Sequence, residues 1–170
     1  MERRELAARL EELSEREVRV VEEALRAIGG MKENGYPFLG NFWQIEQEER
    51  GEDGVFRCSM PIRPDMQNPY RIVYGGVTAT LADMAMAWML EERIPAPDKF
   101  VTLDMNVTYH NPGIGKRLTA DAWVTEQSGE LWRAACRIVN DRDQLIVTSE
   151  GTFRQLVRKA KTKTEASDPV

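Results

Sequence analysis

Between Gly75 and Leu90 the chain reads Gly-Gly-Val-Thr-Ala-Thr-Leu-Ala-Asp-Met-Ala-Met-Ala-Trp-Met-Leu, rich in helix formers and apolar on nearly every face. A helix that is hydrophobic all round is expected to be buried all round. The segments on both sides of it read as strands, so the simplest packing is an antiparallel sheet wrapped around this one central helix, an α+β architecture. Asp83 interrupts the run, which is also shorter than the roughly 20 apolar residues that span a membrane.

The strand pattern is clearest in the second half. Over residues 100–109, Val101, Leu103, Met105, Val107 and Tyr109 alternate with Thr102, Asp104, Asn106 and Thr108, which predicts one face for each set. Residues 117–125, 131–139 and 144–153 continue the pattern. The links Asn111-Pro112-Gly113, Ser128-Gly129 and Asn140-Asp141-Arg142-Asp143 carry turn chemistry, so an antiparallel meander is expected. Earlier, residues 36–46 and 54–62 read as two extended segments of a hairpin, with Pro61 and Pro64 closing the second. Residues 65–74 then form a loop, because Pro69 pushes Asn68 out of helical conformation.

At the N-terminus, Leu6, Leu10 and Leu13 recur at helical spacing and Ser14-Glu15-Arg16-Glu17 matches a capping box that restarts a helix. Val18, Val21, Leu25 and Ile28 share a face of that second helix, which Gly29-Gly30 is expected to stop. Its apolar face is expected against the core or a partner subunit. The organisation is therefore a helical extension over residues 1–30, a sheet-and-helix domain over 36–156, and a polar, disordered tail over 158–170.

Composition removes several functions. The 23 Lys+Arg against 28 Asp+Glu, a net charge of -5, leave no basic surplus for a nucleic-acid backbone. One histidine, His110, and two separated cysteines, Cys58 and Cys136, exclude a structural zinc site. The cysteines read as reduced thiols and, with the charged start Met1-Glu2-Arg3-Arg4-Glu5, point to a cytoplasmic protein with no membrane partner.

Asp83 is the one charged residue in the apolar run, and a carboxylate in such a setting either pairs with an arginine, lies at a solvated helix edge, or serves as general base or nucleophile, the last being the functional expectation. Gly75-Gly76 opens the same helix with free backbone N–H groups and the positive end of the helix dipole, which suit a polarised carbonyl. The eight positions between Gly75 and Asp83 place them ~12 Å apart along one helix. Joint action on one carbonyl therefore requires two protomers with antiparallel central helices, and predicts a homodimer with sites at its interface.

Asn68, Tyr74-Gly75-Gly76 and Leu81-Ala82-Asp83 together resemble the motif of hotdog-fold acyl-CoA thioesterases of the phenylacetate-degradation (PaaI) type. Residues 101–109 through Pro112 and Gly115, and the closing Glu150-Gly151-Thr152-Phe153, resemble that family's strands, so the likeness covers roughly residues 36–156. The resemblance implies that Asp83 is the catalytic carboxylate, that the Gly75 amide donates to the thioester oxygen, and that Asn68 positions substrate or water. Tyr74, Gly76 and His110 are the accompanying substrate-binding candidates. The family usually carries histidine where this chain has Tyr74, which can hydrogen-bond but cannot serve as a base near neutral pH.

The implied substrate is an acyl-CoA, with coenzyme A part of the substrate and no separate cofactor, and the implied assembly is a dimer or a dimer of dimers. A non-catalytic acyl-CoA-binding or sensing protein on the same fold is the alternative. Lys116, Arg117, Arg154, Arg158 and Lys159 are candidates for the phosphates of coenzyme A. Trp43, Trp88, Met84, Met86 and Met89 are candidates for an acyl pocket or for plain core. A Ser-His-Asp triad fares worse, because Val147-Thr148-Ser149-Glu150-Gly151 lacks the first glycine of a nucleophile elbow.

Overall fold

A computed structural model describes residues 3–48 and 54–157 of the chain. The N-terminal extension is α1 (Arg3–Glu11) followed by α2 (Glu15–Glu33). The expected capping box is present: the Ser14 N–H donates to the Glu17 carboxylate at 2.9 Å, and the Glu17 N–H donates to Ser14 Oγ at 3.4 Å. The expected stop at Gly29-Gly30 is not. α2 runs on to Glu33, and the glycine serves packing instead, since a Cβ at Gly30 would meet the Asn41 side chain at 2.5 Å. Of the predicted apolar face, Val18 and Val21 are half-buried, whereas Leu25 and Ile28 are 62% and 51% exposed.

The strand expected over residues 36–46 is mostly a short helix, α3 (Phe38–Phe42). Phe38 and Phe42 stack one turn apart with ring centroids 5.4 Å from each other, and buried Gly40 lets the Trp88 indole approach the backbone. The hairpin survives only as β1 (Glu46–Gln47) against β2 (Phe56–Pro61), with Glu46 opposite Ser59.

After a loop that contains one 3-10 turn (Pro64–Met66) comes α4 (Gly75–Glu91), then β3 (Lys99–Tyr109), β4 (Arg117–Ser128), β5 (Leu131–Asn140) and β6 (Leu145–Leu156). The six strands form one antiparallel sheet in the order β1-β2-β4-β5-β6-β3. β4, β5 and β6 make the expected meander, but β3 does not pair with β4. It closes the far edge of the sheet beside β6, so the link after Tyr109 is a crossover rather than a hairpin turn.

The alternation expected in β3 also breaks. The register shifts between Thr102 and Asp104, and the extra residue, Leu103, reverses the parity of the strand. Phe100 and Thr102 therefore turn toward α4 together with Met105, Val107 and Tyr109, while Val101 and Leu103 are exposed.

The core lies between sheet and helix. Phe56, Cys58 and Met60 of β2, Leu118, Ala120 and Ala122 of β4, Ile138 of β5 and Phe153 of β6 cluster with Leu81, Ala82, Ala85, Met86 and Met89 of α4. Each large side chain buried here contributes about 1.5–3 kcal/mol. The sheet covers only this side of α4, so the expectation of burial all round fails: Ala79, Thr80, Asp83, Met84 and Ala87 are only half-buried. Cys58 and Cys136 are free and buried, as expected of reduced thiols. Burial, with the charges of Glu48 and Asp121, pushes the Cys58 thiol up to about 12.

On the outer face of the sheet, Asp121 sits between its cross-strand neighbours Arg57 and Arg137. Arg57 Nε donates to one carboxylate oxygen at 2.6 Å, and Arg137 Nε and Nη2 donate to the other at 3.0 and 2.9 Å. Burial alone would raise the Asp121 carboxyl, but the two guanidinium groups hold it below the usual carboxylate range.

Candidate active site

The loop before α4 is fixed by its own backbone. Val73 N–H donates to the Gly113 carbonyl at 2.9 Å and Tyr74 N–H to the Met66 carbonyl at 3.0 Å. Asn68 organises the turn between them, because its Oδ1 accepts from the N–H groups of Tyr70 and Ile72 at 2.9 and 3.2 Å. Only the Asn68 Nδ2 is left without a partner among the described residues, so this side chain offers a ligand a donor and little else.

Gly75 is the first residue of α4, and the first helical N–H with an acceptor is that of Val77, which donates to the Tyr74 carbonyl at 2.9 Å. The N–H groups of Gly75 and Gly76 have no acceptor among the described residues, as the start of a helix requires. The Gly75 carbonyl is held by two donors, Thr78 Oγ1 at 2.9 Å and the Tyr109 hydroxyl at 3.1 Å. A Cβ at Gly75 would press on the Tyr109 ring at 3.1 Å, so glycine allows this close approach without a shift of the ring. Sequence reasoning passed over Tyr109. The available signal was its place at the end of the helix-facing side of β3, opposite the glycines.

Asn68, Gly75, Thr78, Tyr109 and His110 line one cleft of about 350 Å³. His110 stands at its rim, with Nε2 2.8 Å from Thr148 Oγ1 and its N–H donating to the Ile146 carbonyl at 2.9 Å. Gly76 is exposed beside the cleft. Tyr74 is 50% exposed and lines a second, wider cleft that also includes Asn68.

Asp83 does not line the first cleft. It lies about two turns further along α4, half-buried, and its Oδ1 accepts a hydrogen bond from Thr102 Oγ1 at 2.8 Å. Among the described residues no arginine or lysine pairs with it. The structure thus brings Gly75, Asn68 and His110 together and leaves Asp83 apart within one chain.

The other sequence candidates take structural places. Lys116, Arg117 and Arg154 line neither cleft, and Arg117 is bound to Ser59 and Glu46. Arg158 and Lys159, and the tail over 158–170, lie outside the described residues. Met86 and Met89 are fully buried core, and Trp88 stacks on Tyr36 at 5.2 Å.

Two comparisons give this geometry a context. Residues 70–147, which include Gly75, Asp83, Tyr109 and His110, match the family model of the thioesterase superfamily. The crystal structure of the BH2602 protein from Bacillus halodurans with CoA matches at 31% identity and a TM-score of 0.78, over 86% of this chain and 97% of that one. The chain belongs to the thioesterase superfamily. Its fold is the hotdog of that superfamily. Acyl-coenzyme A thioesterase 13 of Mus musculus is 36% identical over 86 residues, 49% of this chain, and the match spans only 59% of that relative's length. The PaaI protein of the E. coli phenylacetic acid degradation operon shares the fold at 22% identity and a TM-score of 0.65, over 80% of this chain and 95% of that one.

Proposed function

We propose that this superfamily member hydrolyses an acyl-CoA thioester at a site shared by two protomers, with Asp83 of one facing the Gly75 amide of the other. The observation that carries this reading is the pair of free N–H groups at Gly75-Gly76 beside a 350 Å³ cleft, with the carboxylate of Asp83 held outside it. The thioester carbonyl accepts from the Gly75 N–H, and the fixed orientation of that peptide costs nothing when negative charge develops on oxygen. Asp83 attacks the carbonyl carbon, or takes a proton from a water that does. If Asp83 attacks, the C–S bond breaks to leave an anhydride between Asp83 and the acyl group, which a water then cleaves to restore the carboxylate. If water attacks, the C–S bond breaks directly, and on either route the water supplies the new oxygen of the acyl carboxylate and the proton that leaves on the thiol.

Two features support the second protomer. One is the half-buried outward face of α4 on which Asp83 sits, lined by Ala79, Thr80 and Ala87. The other is β3, an edge strand of 11 residues with Val101 and Leu103 exposed, the type of edge that a soluble protein covers. Thr102 aims the Asp83 carboxylate, Asn68 Nδ2 and Tyr74 border the substrate, and His110 closes the rim.

The test is thiol release across short-chain, long-chain and aryl-acetyl CoA esters, with Asp83→Asn alongside. Turnover that the variant abolishes supports the reading and names the acyl class. Binding of the esters without turnover by the unaltered protein would overturn it in favour of a non-catalytic acyl-CoA binder.

A further inference from the structure

The wide cleft beside Tyr74 has a volume of about 1500 Å³ and two unlike walls, the first half of α2 and the segment from Arg63 to Tyr74. Among the described residues, Arg63 fastens the walls to each other. Arg63 Nη1 donates to Glu23 at 3.3 Å and to the Phe42 carbonyl at 2.6 Å, its Nη2 donates to Asp65 at 2.7 Å, and its guanidinium lies over the Phe42 ring. The extension is thereby tied to the loop that carries Asn68, and the cleft between them keeps its shape.

The charges that remain in the cleft are uneven. Glu17 is engaged with Ser14, and Glu23 and Asp65 with Arg63. Arg16, Arg19 and Arg71 line the same cleft, all exposed and with no carboxylate partner among the described residues, against two carboxylates without a cationic partner there, Glu15 and Glu17. Four guanidinium groups and four carboxylates line the cleft, so it is neutral in a chain of net charge -5, and because Arg63 alone engages two of the carboxylates, guanidinium groups are in excess among the charges left without an ion-pair partner. Arg71 is held there in a left-handed conformation at φ 59°, which an L-residue adopts at a cost. The cleft also meets the Gly75 cleft: Asn68 lines both, and Tyr74 and Gly75 are consecutive.

We propose that this cleft is the subsite for the phosphorylated nucleotide end of the thioester substrate, with Arg16, Arg19 and Arg71 as its phosphate-binding cations. Guanidinium groups offer paired N–H donors that match phosphate oxygens, and three of them without a carboxylate partner answer a ligand with several phosphoryl charges. The helical extension then has a binding task outside the sheet-and-helix domain, one that Lys116, Arg117 and Arg154 are not placed to perform in the same chain. The assignment rests on the acyl-CoA reading of the Gly75 cleft, and its test is read by binding so that the two can fail separately.

The probe is adenosine 3',5'-bisphosphate, titrated calorimetrically into the full chain and into the Arg16→Gln/Arg19→Gln double variant. Both positions are exposed on the α2 surface, and a thermal melt checks that the variant stays folded. The expected result is saturable binding by the parent protein, weakened at least about tenfold in the variant and by added salt. Equal affinity in the two proteins, or no binding by the parent, overturns the assignment whether or not the protein is a thioesterase. A second arm compares KM for an acyl-CoA and for the same acyl group on pantetheine. A rise in the variant confined to the acyl-CoA supports the nucleotide end. An equal rise for both would assign the arginines to an anionic acyl group and overturn the proposal.

Discussion

The two faces of α4 are made of the same kinds of residue and have different surroundings. Leu81, Ala82, Ala85, Met86 and Met89 are sealed against the sheet, whereas Ala79, Thr80, Asp83 and Ala87, one face away, are half-exposed. A run that is apolar on all sides predicts burial all round, one chain covers only one side of it, and the second protomer proposed above would cover the other. The uncovered face is the one that holds the carboxylate.

The largest effect expected on this contrast is at Asp83. Asp83→Asn keeps the shape of the side chain and its contact with Thr102, so thiol release should fall by about 10³-fold or more while the melting temperature stays within error. A loss of stability in parallel with activity would instead make Asp83 a packing residue. On the sealed face, Met86→Ala removes a fully buried side chain and should cost about 2–5 kcal/mol in urea denaturation. On the other face, Ala79→Arg should leave the chain folded but shift sedimentation from dimer to monomer and remove activity, because it places a charge where the second α4 is proposed to lie.

Away from the helix, Asp121→Asn should cost about 1–3 kcal/mol at neutral pH by loss of two charge-assisted contacts. The sign of the pH dependence follows from the depressed carboxyl. Its contribution is complete above the ordinary carboxylate range and is lost as the pH falls through the lowered folded value, so parent and variant should converge in acid melts. The smallest change is at Tyr109. Tyr109→Phe removes one of the two donors on the Gly75 carbonyl, worth about 0.5–1.5 kcal/mol, and should lower kcat/KM a few-fold with little change in stability.

Where a local rule governed, the fold was legible in the sequence. The Ser14 capping box, the strands divided by Ser128-Gly129 and Asn140 to Asp143, and α4 itself follow from short-range chemistry. The failures have longer-range causes. Gly29-Gly30 resembles a helix stop, but Asn41 comes from 11 positions away to use the space at Gly30. Residues 38–42 are aromatic enough for a strand, and become a helix because Gly40 seats Trp88 of α4. The Leu103 bulge changes which side chains face the helix without any mark in the alternation. In the site, Gly75 and Asp83 stood out by residue type and spacing, and Asn68 only by its place in the motif that the chain shares with PaaI-type thioesterases. Tyr109 and the arginines of the wide cleft were not, because their roles depend on a strand and a helix far apart in the chain meeting the same loop.

The central claim is that Asp83 and Gly75 act across a dimer, and mixing two inactive proteins tests it directly. Asp83→Asn lacks the carboxylate, and Gly75→Val presses a branched side chain on the Tyr109 ring, which is expected to displace the residue-75 amide from the cleft and is checked by the inactivity of that variant alone. Co-refolded in equal amounts, they form heterodimers in which one of the two sites carries both an intact Asp83 and an intact Gly75, so roughly a quarter of the unaltered turnover should return. If both groups act from the same chain, the mixture stays as inactive as its parents, and that result would contradict the account.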